Sequence, residues 1–188
     1  MPHTTVRFWG TVRTVRARLT LAKFESETYP TSDGNYLVVS GTVTAPNAAP
    51  VPRDVVVAVG PGTQEEKHLA QGDLVRGDAV PVPETSRDCF AELYRVRVLH
   101  VVARGQALGG DPPRTDPALS VQAAVAAPRR VLEPAYLSAG GACEYCPYGT
   151  EVAVVRLSDP RDLKRGIWSR VTACLGPADC PHYRSSTR

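Results

Sequence analysis

The sequence predicts a mainly β protein: a small closed barrel, then a four-cysteine β module stabilised by zinc. Three observations carry this. Apolar and polar residues alternate with period two through most of the first 105 residues. Seventeen Pro and fifteen Gly interrupt the chain too often for long helices. Four of the five cysteines fall into two pairs in the last quarter of the chain. A length of 188 residues fits one domain, or one plus a small module, and 43% hydrophobic content is enough for a core. No run of about 18 apolar residues exists to span a membrane. The opening Met1-Pro2-His3-Thr4-Thr5-Val6-Arg7 has no apolar signal segment, so the expected location is cytoplasmic.

The elements follow in order. Val6, Phe8, Gly10 and Val12 alternate with Arg7, Trp9, Thr11 and Arg13. The phase then flips, so that Val15, Ala17, Leu19 and Leu21 alternate with Arg16, Arg18 and Thr20. A flip inside a long strand predicts a bulge that bends it, or a tight turn near Arg13-Thr14. Residues 31–35, Thr-Ser-Asp-Gly-Asn, read as a turn, and residues 36–44 as a strand. Residues 54–59 form a short apolar strand, ended by Gly60-Pro61-Gly62. Residues 63–69 allow a helical turn. Residues 72–80 read as a strand entered through a Gly-Asp turn, with Asp73 and Asp78 as solvated acids. The longest clean alternation is 91–104, where Tyr94, Val96, Val98, His100 and Val102 oppose Arg95, Arg97, Leu99 and Val101.

This order, a long bent strand at 6–23, then Gly72-Asp73-Leu74-Val75-Arg76-Gly77, then a closing strand at 94–102, resembles the OB-fold. The resemblance covers residues 1–105 and implies a five-stranded barrel that binds nucleic acid. Residues 106–135 read as a linker with an apolar segment of ambiguous type at 119–127. Residues 136–188 hold the cysteine module.

Its spacing is C-x2-C at Cys143 and Cys146, 27 residues, then C-x5-C at Cys174 and Cys180. Two strand-like runs between the pairs, 151–157 and 166–173, place both pairs at the ends of a hairpin. Four thiolates brought together suit tetrahedral Zn2+ in a closed, structural site. An iron–sulfur cluster or two disulfides would use the same sulfurs, and His182 stands close enough to replace one. The combination is similar to OB-fold proteins that carry a four-cysteine zinc ribbon. There the ribbon interrupts the barrel, whereas here the cysteines follow it. Cys89 stands apart and reads as an idle thiol.

Charge is unevenly spread. Residues 1–23 carry Arg7, Arg13, Arg16, Arg18 and Lys23 and no acid, whereas residues 24–92 carry four basic and eleven acidic side chains. Residues 93–188 carry thirteen basic and eight acidic ones. Trp9 flanked by guanidiniums suits base stacking beside phosphate neutralisation. Arg7, Trp9, Arg13, Arg16 and Arg18 on the first strand, with Arg95 and Arg97 on the last, are therefore the expected nucleic-acid contacts. A second candidate surface is Arg156, Arg161, Lys164, Arg165 and Arg170 beside Trp168. Phosphate-binding loops, nucleophile elbows, metalloprotease helices and dinucleotide fingerprints are all missing from the sequence. The expected function is non-enzymatic nucleic-acid binding, DNA or RNA, within a larger complex. The alternative is an adaptor subunit that docks on proteins through barrel and module.

Overall fold

The computed structural model describes residues 4–105, 130–176 and 180. The apolar segment 119–127 and His182 lie outside them. The fold is mainly β. Its strands are β1 (Val6–Phe24), β2 (Glu27–Thr44), β3 (Val51–Val59), β4 (Leu74–Pro81), β5 (Leu93–Ala103), β6 (Arg130–Val131), β7 (Gly149–Leu157) and β8 (Ile167–Cys174). One short helix, α1 (Pro61–Lys67), joins β3 to β4. No helix among the described residues is long and apolar enough to cross a membrane.

β1 and β2 form a long antiparallel hairpin that turns at Glu25-Ser26, where Glu25 takes a φ of +52°. The phase flip expected at Arg13-Thr14 is a bulge. Val12 pairs with Val39 and Thr14 with Val38, so Arg13 is the extra residue. The turn expected at 31–35 is not one. β2 runs straight through it, and Asp33 is an extra residue between the pairs Arg18–Gly34 and Leu19–Ser32. Gly34 absorbs this second bulge at a φ of +103°, where a Cβ would lie 2.1 Å from the Val59 carbonyl oxygen. Turn-type residues thus mark a bulge here, because both features need left-handed backbone.

β1 pairs with β2 and β4, β2 with β3, β3 with β5 through Val57 and Leu93, and β5 with β4. The pairings therefore return to β1. Inside them lies a Val-rich core with Phe8, Val12, Leu37, Val39, Val55, Val57, Val75 and Leu99. β5 departs from its clean alternation. Arg95 takes a φ of +48° and the register shifts between Asp78 and Val80. The inward set is consequently Leu93, Val96, Leu99 and Val101, while Val98, His100 and Val102 are exposed. Residues 82–92, between β4 and β5, fold over the outer face of β2 and β3. There Cys89, Phe90 and Ala91 pack on Tyr36 and Ala58, and the Phe90 amide donates to the Tyr36 hydroxyl at 3.2 Å.

The second half of β1 leads elsewhere. Residues 19–24 pair in parallel with 152–157 of β7, and β7 pairs antiparallel with β8. β6 adds two residues beside the end of β8. Leu19, Leu21, Val152, Val154, Ala173 and Leu175 form a second core on this side. β1 is thus shared by the N-terminal strands and the C-terminal hairpin, and its middle is covered on both faces.

Candidate functional site

The β7–β8 hairpin sets up the cysteine cluster. Cys174 ends β8 directly opposite Gly149, the first residue of β7, and the Cys143–Cys146 loop precedes β7 at the same end. Cys143 and Cys174 are buried; Cys146 and Cys180 are half-buried. Leu132, Tyr136, Leu137 and Tyr148 pack around Cys143, Cys146 and Cys174. The Cys143 amide donates to the Tyr136 carbonyl at 2.9 Å and the Cys146 amide closes a turn onto the Cys143 carbonyl at 3.1 Å. The Gly176 amide donates to Cys174 Sγ at 3.4 Å, the kind of contact that stabilises a thiolate. Gly141 permits the approach, since a Cβ there would lie 2.4 Å from the carbonyl oxygens of Ala135 and Tyr136.

Burial pushes the Cys143 thiol up, and Cys146, Cys174 and Cys180 push it further the same way; Arg16 opposes them. Cys143 is thus the sulfur that senses the other three. Among the described residues no three potential ligands already stand assembled to hold a metal ion. The donor set itself, four soft sulfurs beside amide donors, suits zinc or an iron–sulfur cluster.

The expected arginine stripe divides in two. Arg16 is only 7% exposed and faces the cysteine loop. Its guanidinium donates to the carbonyls of Cys146 at 3.3 Å, Cys143 at 3.1 Å and Glu144. Arg18 is half-buried, reaching the backbone carbonyl of Asp33 and the Asp88 side chain at 3.7 Å. Arg13 is exposed but stacks on the Tyr145 ring at 4.9 Å. Tyr145 in turn donates to Asp54 Oδ2 at 3.0 Å, and hydrogen bonds to Glu144 and Asp54 push its pKa up to about 12, so it remains a donor. The outer face of β1 beyond its bulge is therefore an internal interface, occupied by the module that follows 127 residues later.

The first part of that face stays open. Trp9 is 53% exposed and pairs with Arg76 on β4, which pairs with His100 on β5. One row across three strands thus reads Trp9, Arg76, His100. The neighbouring row reads Arg7, Asp78, Val98, with Arg7 Nε 3.5 Å from Asp78. Between the rows lies a groove of about 350 Å³, lined by Arg7, Arg76, Gly77, Asp78, Val98 and His100.

β4 stands between the first and last strands, so Arg95 and Arg97 do not join the β1 arginines directly. Arg97 is exposed, and Arg95 lies over the Tyr94 ring at 5.0 Å beside the β5 bulge. Arg76 takes the place expected for them. It was discoverable, because alternation from buried Val75 points Arg76 outward. His100 is exposed, on the outer side of β5 with Val98 and Val102.

In the hairpin, Arg156, Arg161, Arg165 and Arg170 are exposed. Arg170 is committed internally, pairing with Glu151 at 2.8 Å and stacking on Phe90 at 4.7 Å. No protein-family model, curated protein or solved structure matches this chain.

Proposed function

We propose that this chain is a non-enzymatic nucleic-acid-binding protein. In this reading residues 1–105 are an OB-like barrel and residues 136–188 a zinc-stabilised module. The ring of strand pairings, with a helix between the third and fourth strands, supports the barrel. The usual ligand surface of such a barrel, its second and third strands, is covered in part here by residues 82–92, which pack on Tyr36, Val56 and Ala58. Binding is therefore assigned to the open face of β1, β4 and β5.

The carrying observation is the row of Trp9, Arg76 and His100 with Arg7 beside it. Trp9 offers a π-face to a base, and the guanidiniums offer donors to phosphates. Oligonucleotide titration across a salt series tests this. Contact with several phosphates predicts a linear fall of log K with log salt. Trp9→Ala is expected to weaken binding by about 1–3 kcal/mol with the far-ultraviolet spectrum unchanged. Equal affinity for the variant and the parent chain would remove Trp9 from the interface.

The same face also favours a second reading. Val98 and Val102 on β5 are 42% and 54% exposed, Trp9 on β1 is 53% exposed, and Arg16, Arg18 and Arg170 serve internal contacts. Exposed apolar side chains on a strand face suit a protein partner. Absence of oligonucleotide binding at low salt would make the adaptor reading the stronger one. For the module, the proposed ligands are Cys143, Cys146, Cys174 and Cys180. Elemental analysis is expected to give one zinc per chain without colour; iron with visible absorption would make it a cluster protein instead.

A further inference from the structure

We infer that Arg16 is the positioning residue of the four-cysteine centre, a buried counter-ion held across the fold from β1. The inference rests on the metal reading above and adds a residue from the other end of the sequence.

Burying a guanidinium is costly unless its charge is compensated. Arg16 is 7% exposed, yet the ion pairs among the described residues do not include it. Its hydrogen bonds go to three backbone carbonyls, all in the Cys143–Cys146 loop. The guanidinium therefore faces the loop that carries two of the four proposed ligands. Zn2+ with four thiolates carries a net charge of −2, and a nearby buried cation lowers the cost of holding that charge away from water.

The geometry adds a second effect. Arg16 fixes the carbonyls of three of the four residues in the C-x2-C loop, so it sets the orientation of the peptide planes that carry two ligands. Outer contacts of this kind orient metal ligands. β1 is well placed to hold Arg16 still: Thr14 is 2% exposed, and Thr150 donates to the Ala17 carbonyl at 2.6 Å. The clamp therefore sits on a strand anchored from both sides.

The test uses the full chain loaded with zinc, with affinity measured by chelator competition. Arg16→Met is expected to keep one zinc per chain but to bind it about 10- to 100-fold more weakly. Arg16→Lys, which keeps the charge but loses the fork, is expected to recover part of that loss. Loaded with Co2+ instead, Arg16→Met is expected to show shifted thiolate-to-metal absorption bands, which a merely structural role would not move. Arg13→Met, which removes an exposed contact to the same loop, is expected to stay within about twofold of the parent affinity.

A folded Arg16→Met variant with parent affinity and unshifted bands would overturn the inference and leave the metal reading standing. Should the variants not fold, the Arg16 Nε–H of the parent chain provides the measurement. Its proton is expected to exchange at least tenfold more slowly in the zinc-loaded than in the metal-free protein, and equal rates would overturn the inference. Failure of the parent chain to take up zinc would overturn the metal reading itself.

Discussion

Gly41→Ala is expected to destabilise the protein by more than about 3 kcal/mol, above the usual range of about 1–3 kcal/mol for overpacking. Gly41 on β2 pairs with Gly10 on β1, so the two backbones meet with no side chain on either side. A Cβ at Gly41 would lie 2.0 Å from the Trp9 carbonyl oxygen and 2.5 Å from Gly10 Cα. A Cβ at Gly10 would lie 2.3 Å from the Ser40 carbonyl oxygen. These neighbours are backbone atoms inside a paired ladder, so no rotamer change relieves the clash. Strands β1 and β2 would have to separate, and β1 also carries the pairings to β4 and β7. Urea unfolding followed by circular dichroism checks this: the midpoint should fall with the slope unchanged. A midpoint equal to the parent's would mean that the strands can shift apart at little cost. The variant also displaces Trp9, so an altered tryptophan emission maximum should accompany the loss of stability.

The same glycine pair marks what is legible in the sequence. Gly10 falls on the apolar phase of the first strand, and period two places it inward. Nothing local says that its partner is another glycine, 31 residues away. The first bulge was legible, because apolar residues on both sides of Arg13-Thr14 report the flip. The hairpin between the cysteine pairs was legible for a similar reason, since two apolar runs meet at a turn. The β5 bulge was hidden, because valines occupy both phases of that strand.

Arg16 fails in a different way. Its phase is right, on the outer side of β1, but the outside of this strand is another part of the same chain. A sequence pattern gives the face of a strand and leaves open what covers it. The charge sum treats Arg7 and Arg16 alike, whereas one is exposed and the other closes the cysteine loop.

Asp73→Ala carries the second large effect, about 2–4 kcal/mol, from a residue that reads as a solvated turn acid. Its side chain is 3% exposed. One oxygen accepts from the Ala70 amide at 3.0 Å and from Arg104 at 2.9 Å; the other accepts from the Gly105 amide at 3.0 Å. Its own carbonyl accepts from the Val12 amide at 2.8 Å, and the Gly72 amide returns to the Val12 carbonyl at 2.8 Å. Asp73 thus ties the entry to β4, the exit from β5 and the bulge of β1 to one point. Alanine leaves two amides without an acceptor, each worth about 1–3 kcal/mol where water is excluded, and leaves Arg104 only the carbonyls of Lys67 and His68. Asn keeps one acceptor oxygen and should cost less. Arg104→Ala should cost least, under about 1 kcal/mol, because that guanidinium is 56% exposed and its pair is screened. The expected order in denaturant midpoints is therefore Asp73→Ala below Asp73→Asn, with Arg104→Ala nearest the parent chain. If Arg104→Ala proved as damaging as Asp73→Ala, the guanidinium, through Asp73 and the Lys67 and His68 carbonyls, and not the amide contacts would hold this corner. If all three matched the parent, the carboxylate would be solvated after all, and the bulge of β1 would be held by the main-chain bonds of Gly72 and Asp73 to Val12.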